Sequence, residues 1–399
     1  MIPPDPLLTV QCADADTGMR GFVVVHSVWR GSATGGVRAA ADVTVAEVAQ
    51  LARVMTYKYA FWQCRSGGAK AGVVLPEEVS QEQRTAIFAS FGRHCAPLLR
   101  AGIYYPWTDL NCGPGDIEAI YQGAGVPFAG IADSSYYTAL TVFGAVKAAA
   151  AWLDLRPEAC AVGIEGVGRV GIHLARELGA WGGRITAAST VRGAVVKETG
   201  LDLEALLAAR SRHGDAFVNQ PGDWECVPKE HLFQASFDIL VPGARVGSVN
   251  EATAKALRAR AVVPAANAPC TDAAEAALMA RGIPVLPDFI CNSGGVIGTR
   301  LAHLAVTLPR VRQLCIDEFG GMVTRLLQQS AAQRVSPATL ARRTAEDRYR
   351  DTSGPATEHG RLRRSVASRL ARCVPRSVLR RKAVRELLRI LRSSFQPVS

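Results

Sequence analysis

Apolar and polar positions along the chain follow two rhythms. Near the N-terminus a strand-like run, "GFVVVHSV", precedes residues 44 to 62, where Val45, Val48, Leu51, Ala52, Met55 and Tyr59 recur on one side of a predicted helix. This first region reads as mixed α and β. From about residue 160, short runs that are apolar throughout ("CAVGIEG", "GRITAAS", "FDILVPGA", "RAVVPAAN", "IPVLPDFI") alternate with the helical stretches "GIHLARELGAW", "NEATAKALRA" and "TDAAEAALMARG". Strands without a polar face, separated by helices, predict a parallel sheet covered on both sides. The fold class is therefore α/β, with a mixed first domain and a doubly wound second one. Near the C-terminus Leu379, Ala383, Val384, Leu387, Leu388, Leu391 and Phe395 recur at near-helical spacing with arginines between them, which predicts an amphipathic helix.

Composition changes this picture in three places. At 399 residues and 48% apolar, the chain has enough material for two or three domains with real cores. The start, "MIPPDPLLTV", has no basic segment leading into an apolar one, and the most apolar helical stretch, "LTVFGAVKAAAAWL", is short and broken by Lys147. A cytoplasmic protein without a membrane span is expected. The ten cysteines are scattered, without zinc spacing, so reduced thiols and no metal are expected. The net charge of +11 suggests nucleic acid until it is located: residues 351 to 399 hold 12 basic against 3 acidic residues, or +9 of the total. That tail opens with the linker-like "DTSGPATEHG" and has no aromatic residue but Phe395, so an oligomer contact or a solvated extension is favoured over nucleic-acid binding.

The first strand of the second rhythm runs into Gly166, Val167, Gly168, Arg169, Val170 and Gly171, and then a helix. There Gly166 suits a tight turn, Gly168 lets a pyrophosphate approach the backbone at the helix N-terminus, and Gly171 lets helix and strand pack closely. A dinucleotide is the expected cofactor. The next strand ends in Ser189 and Thr190, with Arg192 nearby, instead of the acid that usually grips a ribose. NAD and NADP both stay open, since an arginine there either receives a 2′-phosphate or faces solvent. A separate question lies in "MTYKYAFWQCRSGGAK", which places Lys58 among bulky apolar residues and Lys70 directly after a glycine pair. Each charge needs water or compensation.

Seven segments in order resemble the glutamate/leucine/phenylalanine/valine dehydrogenase family over roughly residues 8 to 350, most closely its leucine dehydrogenase branch. They are "GSATGGVR" (31 to 38), "MTYKYA" with "GGAKAG" (55 to 72), "TDLNCGPGDI" (108 to 117), "GVGRVG", "DILVPGA" (238 to 244), "AANAP" (265 to 269) and "PDFICNSGGV" (287 to 296). The resemblance implies reversible oxidative deamination of an L-amino acid to a 2-oxo acid and ammonia, with NAD or NADP. On it, Lys58 binds the substrate carboxylate, Lys70 is the general base that activates water, and Asp109 relays protons to and from the amine. Burial and the neighbouring Lys58 would bring the pKa of Lys70 toward working pH. Gly67 and Gly68 would let the backbone approach the substrate. Thr190, Ala244 and Asn267 join the glycine turn, with Arg169 and Val170, in the cofactor set. Asn292 lies near the substrate, unless either asparagine merely ties down a loop.

Departures from the family bear on the substrate. Glutamate dehydrogenases carry a lysine before the first glycine pair and a serine in the "GGV" segment, both serving the side-chain carboxylate; here Thr34 takes the lysine's place. Leucine-type enzymes are aliphatic where Thr34 and Thr299 stand, although Val296 is still apolar. A neutral substrate is expected, with a small polar or hydroxylated side chain unless both threonines bond to backbone carbonyls, in which case valine or leucine fits. The resemblance also implies a catalytic domain over 1–134 that regains the chain at about 302–350, a Rossmann-type domain over 135–301, a cleft between them, and a homo-oligomer. The competing reading is a catalytically weak paralogue that binds or regulates through its basic tail, and Lys58, Lys70 and Asp109 speak against it.

Overall fold

The computed structural model describes residues 1–131, 133–352 and 375–396, so "DTSGPATEHG" lies largely outside the described residues. The chain forms two compact units, one from Met1–Asp133 with the segment that begins at Arg342, the other from Ser134–Ala341 with the C-terminal segment. The second unit thus keeps the chain well past residue 302. The cause is packing: the helix Phe319–Gln333 and the π-helical turn before it lie on helix α4 (Ser135–Trp152).

The first unit holds a mixed five-stranded sheet of β1 (Leu8–Asp14), β2 (Met19–Val25), β3 (Ala33–Ala40), β4 (Gly67–Val74) and β5 (Tyr104–Thr108), in the order β1-β2-β4-β3-β5. β1, β2 and β4 pair antiparallel, while β3 pairs parallel with β4 and β5. Helix α1 (Val45–Phe61) joins β3 to β4 and starts at Thr44, whose side chain accepts from the Glu47 amide. Helices α2 (Gln81–Arg100) and α3 (Pro114–Ala124) contribute Phe88, Phe91, Ile117 and Ile120 to a core with Val37, Ala39, Ala69, Ala71 and Val73. Strand alternation then turns Gly68, Lys70 and Gly72 to the α1 face. A Cβ at Gly68 would lie 2.2 Å from the Thr56 nitrogen and one at Gly72 2.9 Å from the Val48 side chain, so α1 packs on β4 too closely for a side chain at either position. Lys70 is the one charged side chain of β4 on that face.

The second unit has a six-stranded sheet in the order β11-β10-β6-β7-β8-β9. Its strands are β6 (Ala161–Glu165), β7 (Arg184–Thr190), β8 (Gly193–Val196), β9 (Glu225–Val227), β10 (Ile239–Pro242) and β11 (Ala261–Val262). The expected parallel sheet covers only β11, β10, β6 and β7; β8 and β9 run antiparallel at one edge, because the chain reverses at once after Thr190. "IPVLPDFI" gives a single bridge, Val262 to Val285, since Pro284 and Pro287 have no amide hydrogen for a ladder.

The C-terminal helix Arg376–Ser393 is amphipathic, as its spacing predicts, but it is not a solvated extension. Ala383, Leu387, Ile390, Leu391 and Phe395 are buried, and the helix packs on Gly294–His303 and Phe319–Gln333 of its own unit. Among the described residues no helix is long and apolar enough to cross a membrane, and no cluster of three or more His, Cys, Asp or Glu could hold a metal ion.

Candidate active site

In the first unit, side chains from β3, β4 and α1 converge around Asp109. Lys70, 2% exposed, places Nζ 3.0 Å from Asp109 Oδ2. Arg38 of β3, buried to the same degree, donates Nε to that same oxygen at 3.2 Å and Nη1 to Glu47 Oε1 of α1 at 2.5 Å. Asp109 stands in a turn closed by the Cys112 amide on its carbonyl, 3.2 Å. Arg84 braces this turn, donating to the Asn111 carbonyl and to both oxygens of Asp116. Gly36 makes room for it, since a Cβ there would lie 2.7 Å from that of Asp109.

The protonation states follow from this packing. Burial alone would raise the Asp109 carboxyl, but Lys70 and then Arg38 overcome it and hold the group well below the usual carboxylate range. Burial is also the largest influence on Lys70 and pushes its pKa down; Asp109 resists and Arg38 adds to the lowering. The cation acting on Lys70 is thus Arg38, where the motif reading expected Lys58. Lys58 is itself buried, 4% exposed, in the last turn of α1.

The glycine pair has a structural duty. A Cβ at Gly67 would lie 2.1 Å from the Ser27 carbonyl oxygen, and one at Gly68 2.2 Å from the Thr56 nitrogen, so neither position has room for a side chain. Ser27 and Thr56 share a hydrogen bond of 2.8 Å, and the Gly68 amide donates to Ser27 Oγ at 3.0 Å, which fixes the start of the strand that carries Lys70. The Thr34 hydroxyl donates to the Tyr105 carbonyl at 2.7 Å.

In the second unit the three glycines separate by role. Gly166 has φ +89° and donates to the Ser189 carbonyl at 3.1 Å, a turn that a side chain would strain. A Cβ on Gly171 would lie 2.4 Å from the Gly166 oxygen, so close packing requires that glycine. Gly168 caps helix α5 (Arg169–Trp181), and a Cβ there would meet nothing within 4 Å. An open approach to the amides of a helix N-terminus fits a dinucleotide pyrophosphate. Arg169 is exposed and Val170 half-buried at the start of that helix, and the Ala244 nitrogen faces Gly166 across the turn.

At the end of β7 the Thr190 hydroxyl donates to the Asp215 carbonyl at 2.7 Å, while Arg192 is exposed. The arginine against the glycine turn is Arg210, which donates Nε to the Val167 carbonyl at 2.9 Å and pairs with Asp215 Oδ1 at 2.8 Å. Arg210 and Asp215 bring to this edge both a cation and the acid that β7 lacks. Sequence reasoning missed them because they reach it from the helix Leu203–His213 and the turn that follows. Asn292 Nδ2 donates to the Ala266 carbonyl at 2.9 Å and to Asn267 Oδ1 at 3.0 Å, so the two asparagines are tied to each other. Val296 is half-buried on Gly294–His303. On that helix Thr299 is 3% exposed, and its hydroxyl has no hydrogen-bond partner among the described residues.

Comparison with known proteins bears on both units. Residues 129–308 match the family described as Glutamate/Leucine/Phenylalanine/Valine dehydrogenase, and residues 4–124 match its dimerisation domain. The chain is similar to the glutamate dehydrogenase of Thermotoga maritima, 32% identical over 297 residues, 69% of this chain and 70% of that protein. It is also similar to the NADP-specific glutamate dehydrogenase of Saccharolobus shibatae, 29% identical over 295 residues, 70% of this chain and 69% of that one. These relatives do not single out the leucine branch. Among solved structures, the fold is like that of the hetero-hexameric glutamate dehydrogenase from Thermus thermophilus, with TM-score 0.76 at 24% identity, covering 87% of this chain and 89% of that chain. It is also like that of L-tryptophan dehydrogenase from Nostoc punctiforme, with TM-score 0.59 at 22% identity, covering 88% and 98%.

Proposed function

Because this chain belongs to the glutamate/leucine/phenylalanine/valine dehydrogenase family, we propose that it catalyses the reversible oxidative deamination of a neutral L-amino acid. Amino acid, water and oxidised NAD or NADP yield 2-oxo acid, ammonium, the reduced nucleotide and a proton. The observation that carries this reading is the buried contact between Lys70 and Asp109. A nicotinamide bound at the glycine turn of the second unit would supply the acceptor for the hydride that leaves the α-carbon. Lys70, whose burial favours the neutral amine, draws a proton from the water that attacks the same carbon, and Asp109 exchanges protons with the departing amine. Lys58 neutralises the substrate carboxylate. The second unit holds the nucleotide at the open end of α5.

The named relatives are glutamate dehydrogenases, but their substrate does not transfer at this identity. Position 34 offers no cation for a side-chain carboxylate, and its hydroxyl is already committed to Tyr105. The unpartnered Thr299 hydroxyl suits a small polar side chain. We further propose a homo-oligomer assembled through the first unit, which matches the family's dimerisation domain. The test is absorbance at the nicotinamide band with ammonia, NADH or NADPH, and a panel of 2-oxo acids. Turnover is expected with neutral aliphatic or hydroxylated acids, and Lys70→Ala should lower it by about 10²-fold or more. A clear preference for 2-oxoglutarate would refute the substrate assignment, and undiminished turnover in Lys70→Ala would refute the base.

A further inference from the structure

Arg38 is the one charged residue of β3, buried beside two groups assigned to the chemistry, and the proposed reaction gives it no role. It spans the site: Nε on Asp109 Oδ2, which also receives Lys70, and Nη1 on Glu47 of α1. We propose that Arg38, anchored by Glu47, is a positioning residue that holds the Asp109 carboxylate against Lys70 and balances the charge on which proton loss from Lys70 depends. The inference rests on the proposed role of Lys70 as base.

The charges decide the sign. Arg38, Lys70, Asp109 and Glu47 together sum to zero while Lys70 keeps its proton. The groups acting on Lys70 are Asp109 beyond β5, Arg38 on β3 and Glu47 on α1; Tyr104 of β5 feels Asp109, and Lys58 is buried further along α1. Removing the Arg38 charge leaves the cluster at −1, which favours the protonated lysine. Removing the Glu47 charge leaves it at +1, which favours the neutral amine. Arg38 also fixes geometry. A planar guanidinium bridges two carboxylates across the β3–α1 connection with a reach that a lysine lacks, so charge and position are separable by substitution.

Three variants test this in the full-length protein: Arg38→Gln, Glu47→Gln and Arg38→Lys, each checked for folding by its melting temperature. The first readout is kcat/KM for amino-acid oxidation against pH, whose lower limb reports the base. The second is the titration of Lys70 in lysine-labelled protein by NMR, assigned by the signal lost in Lys70→Arg, which needs no turnover. Arg38→Gln should move both to higher pH and Glu47→Gln to lower pH, each by about one unit. Arg38→Lys should leave the limb in place and lower kcat. Shifts in the same direction, or none in folded variants, would overturn the proposal. Opposite shifts in the NMR titration without amino-acid turnover would keep the charge balance and refute the dehydrogenase reading instead.

Discussion

Thr34 and Thr299 carry the same side chain and end in different states. The hydroxyl of Thr34 is satisfied by the Tyr105 carbonyl, while that of Thr299 is buried with no hydrogen-bond partner among the described residues. Leaving such a group unpaired costs about 1–3 kcal/mol, a cost that a ligand able to hydrogen-bond it would remove. Thr299→Val keeps the shape and deletes the hydroxyl. The free protein should be no less stable, while the ratio of kcat/KM for aliphatic over hydroxylated 2-oxo acids should rise roughly 10-fold or more. Steady-state rates on paired substrates such as the valine and threonine oxo acids measure this, and an unchanged ratio would mean that the substrate does not touch Thr299. Thr34→Val should change this ratio less, since the Thr34 hydroxyl is already bonded to the Tyr105 carbonyl at an exposed position where water can replace it.

Single elements show which parts of the fold the sequence makes legible. Helix α1, the strand–glycine turn–helix at 161–181 and the C-terminal helix are all visible in the sequence, because a regular apolar stripe or a glycine pattern is a local property. The antiparallel edge is not, since β8 and β9 are only four and three residues long and lie 28 residues apart between Val196 and Glu225. The two prolines of "IPVLPDFI" were a local warning that no strand would form there. Arg38 left a signal too, as a charge in "GGVRAAA". Arg210 and Asp215 left none, because what they do depends on a contact across the fold. Their position beside Val167 and Thr190 bears on the cofactor. An acid there suits the ribose hydroxyls of NADH and an arginine the 2′-phosphate of NADPH. Arg210→Ala should raise KM for NADPH more than for NADH, and Asp215→Ala should do the reverse; equal changes in both variants would show that the pair only braces the turn.

At the scale of the whole chain the charge and the core meet in the C-terminal helix. Most of the net charge lies beyond residue 350, yet the described helix there turns its apolar face into the second unit. Arg392 pairs with Glu318 at 2.5 Å, Arg300 with Glu386 at 3.4 Å, and Arg325 donates to the Leu391 and Ser394 carbonyls. Exposed ion pairs of this kind are screened by water and salt and lose side-chain entropy on pairing, so the apolar face should dominate the attachment. The fully buried Leu391 is the place to measure it: Leu391→Ala should cost about 2–5 kcal/mol, which at roughly 2–4 °C per kcal/mol lowers the melting temperature of a unit this size by several degrees. Arg381→Glu, on the exposed side, should change it by less than about 0.5 kcal/mol. Calorimetry in low and high salt separates the contributions, because burial survives added salt and surface pairing does not. If instead the Leu391 variant melts like the parent while salt alone loosens the helix, electrostatics hold it. The helix Gly294–His303, which carries Val296 and Thr299 and packs against the C-terminal helix, would then depend on ionic strength for its support.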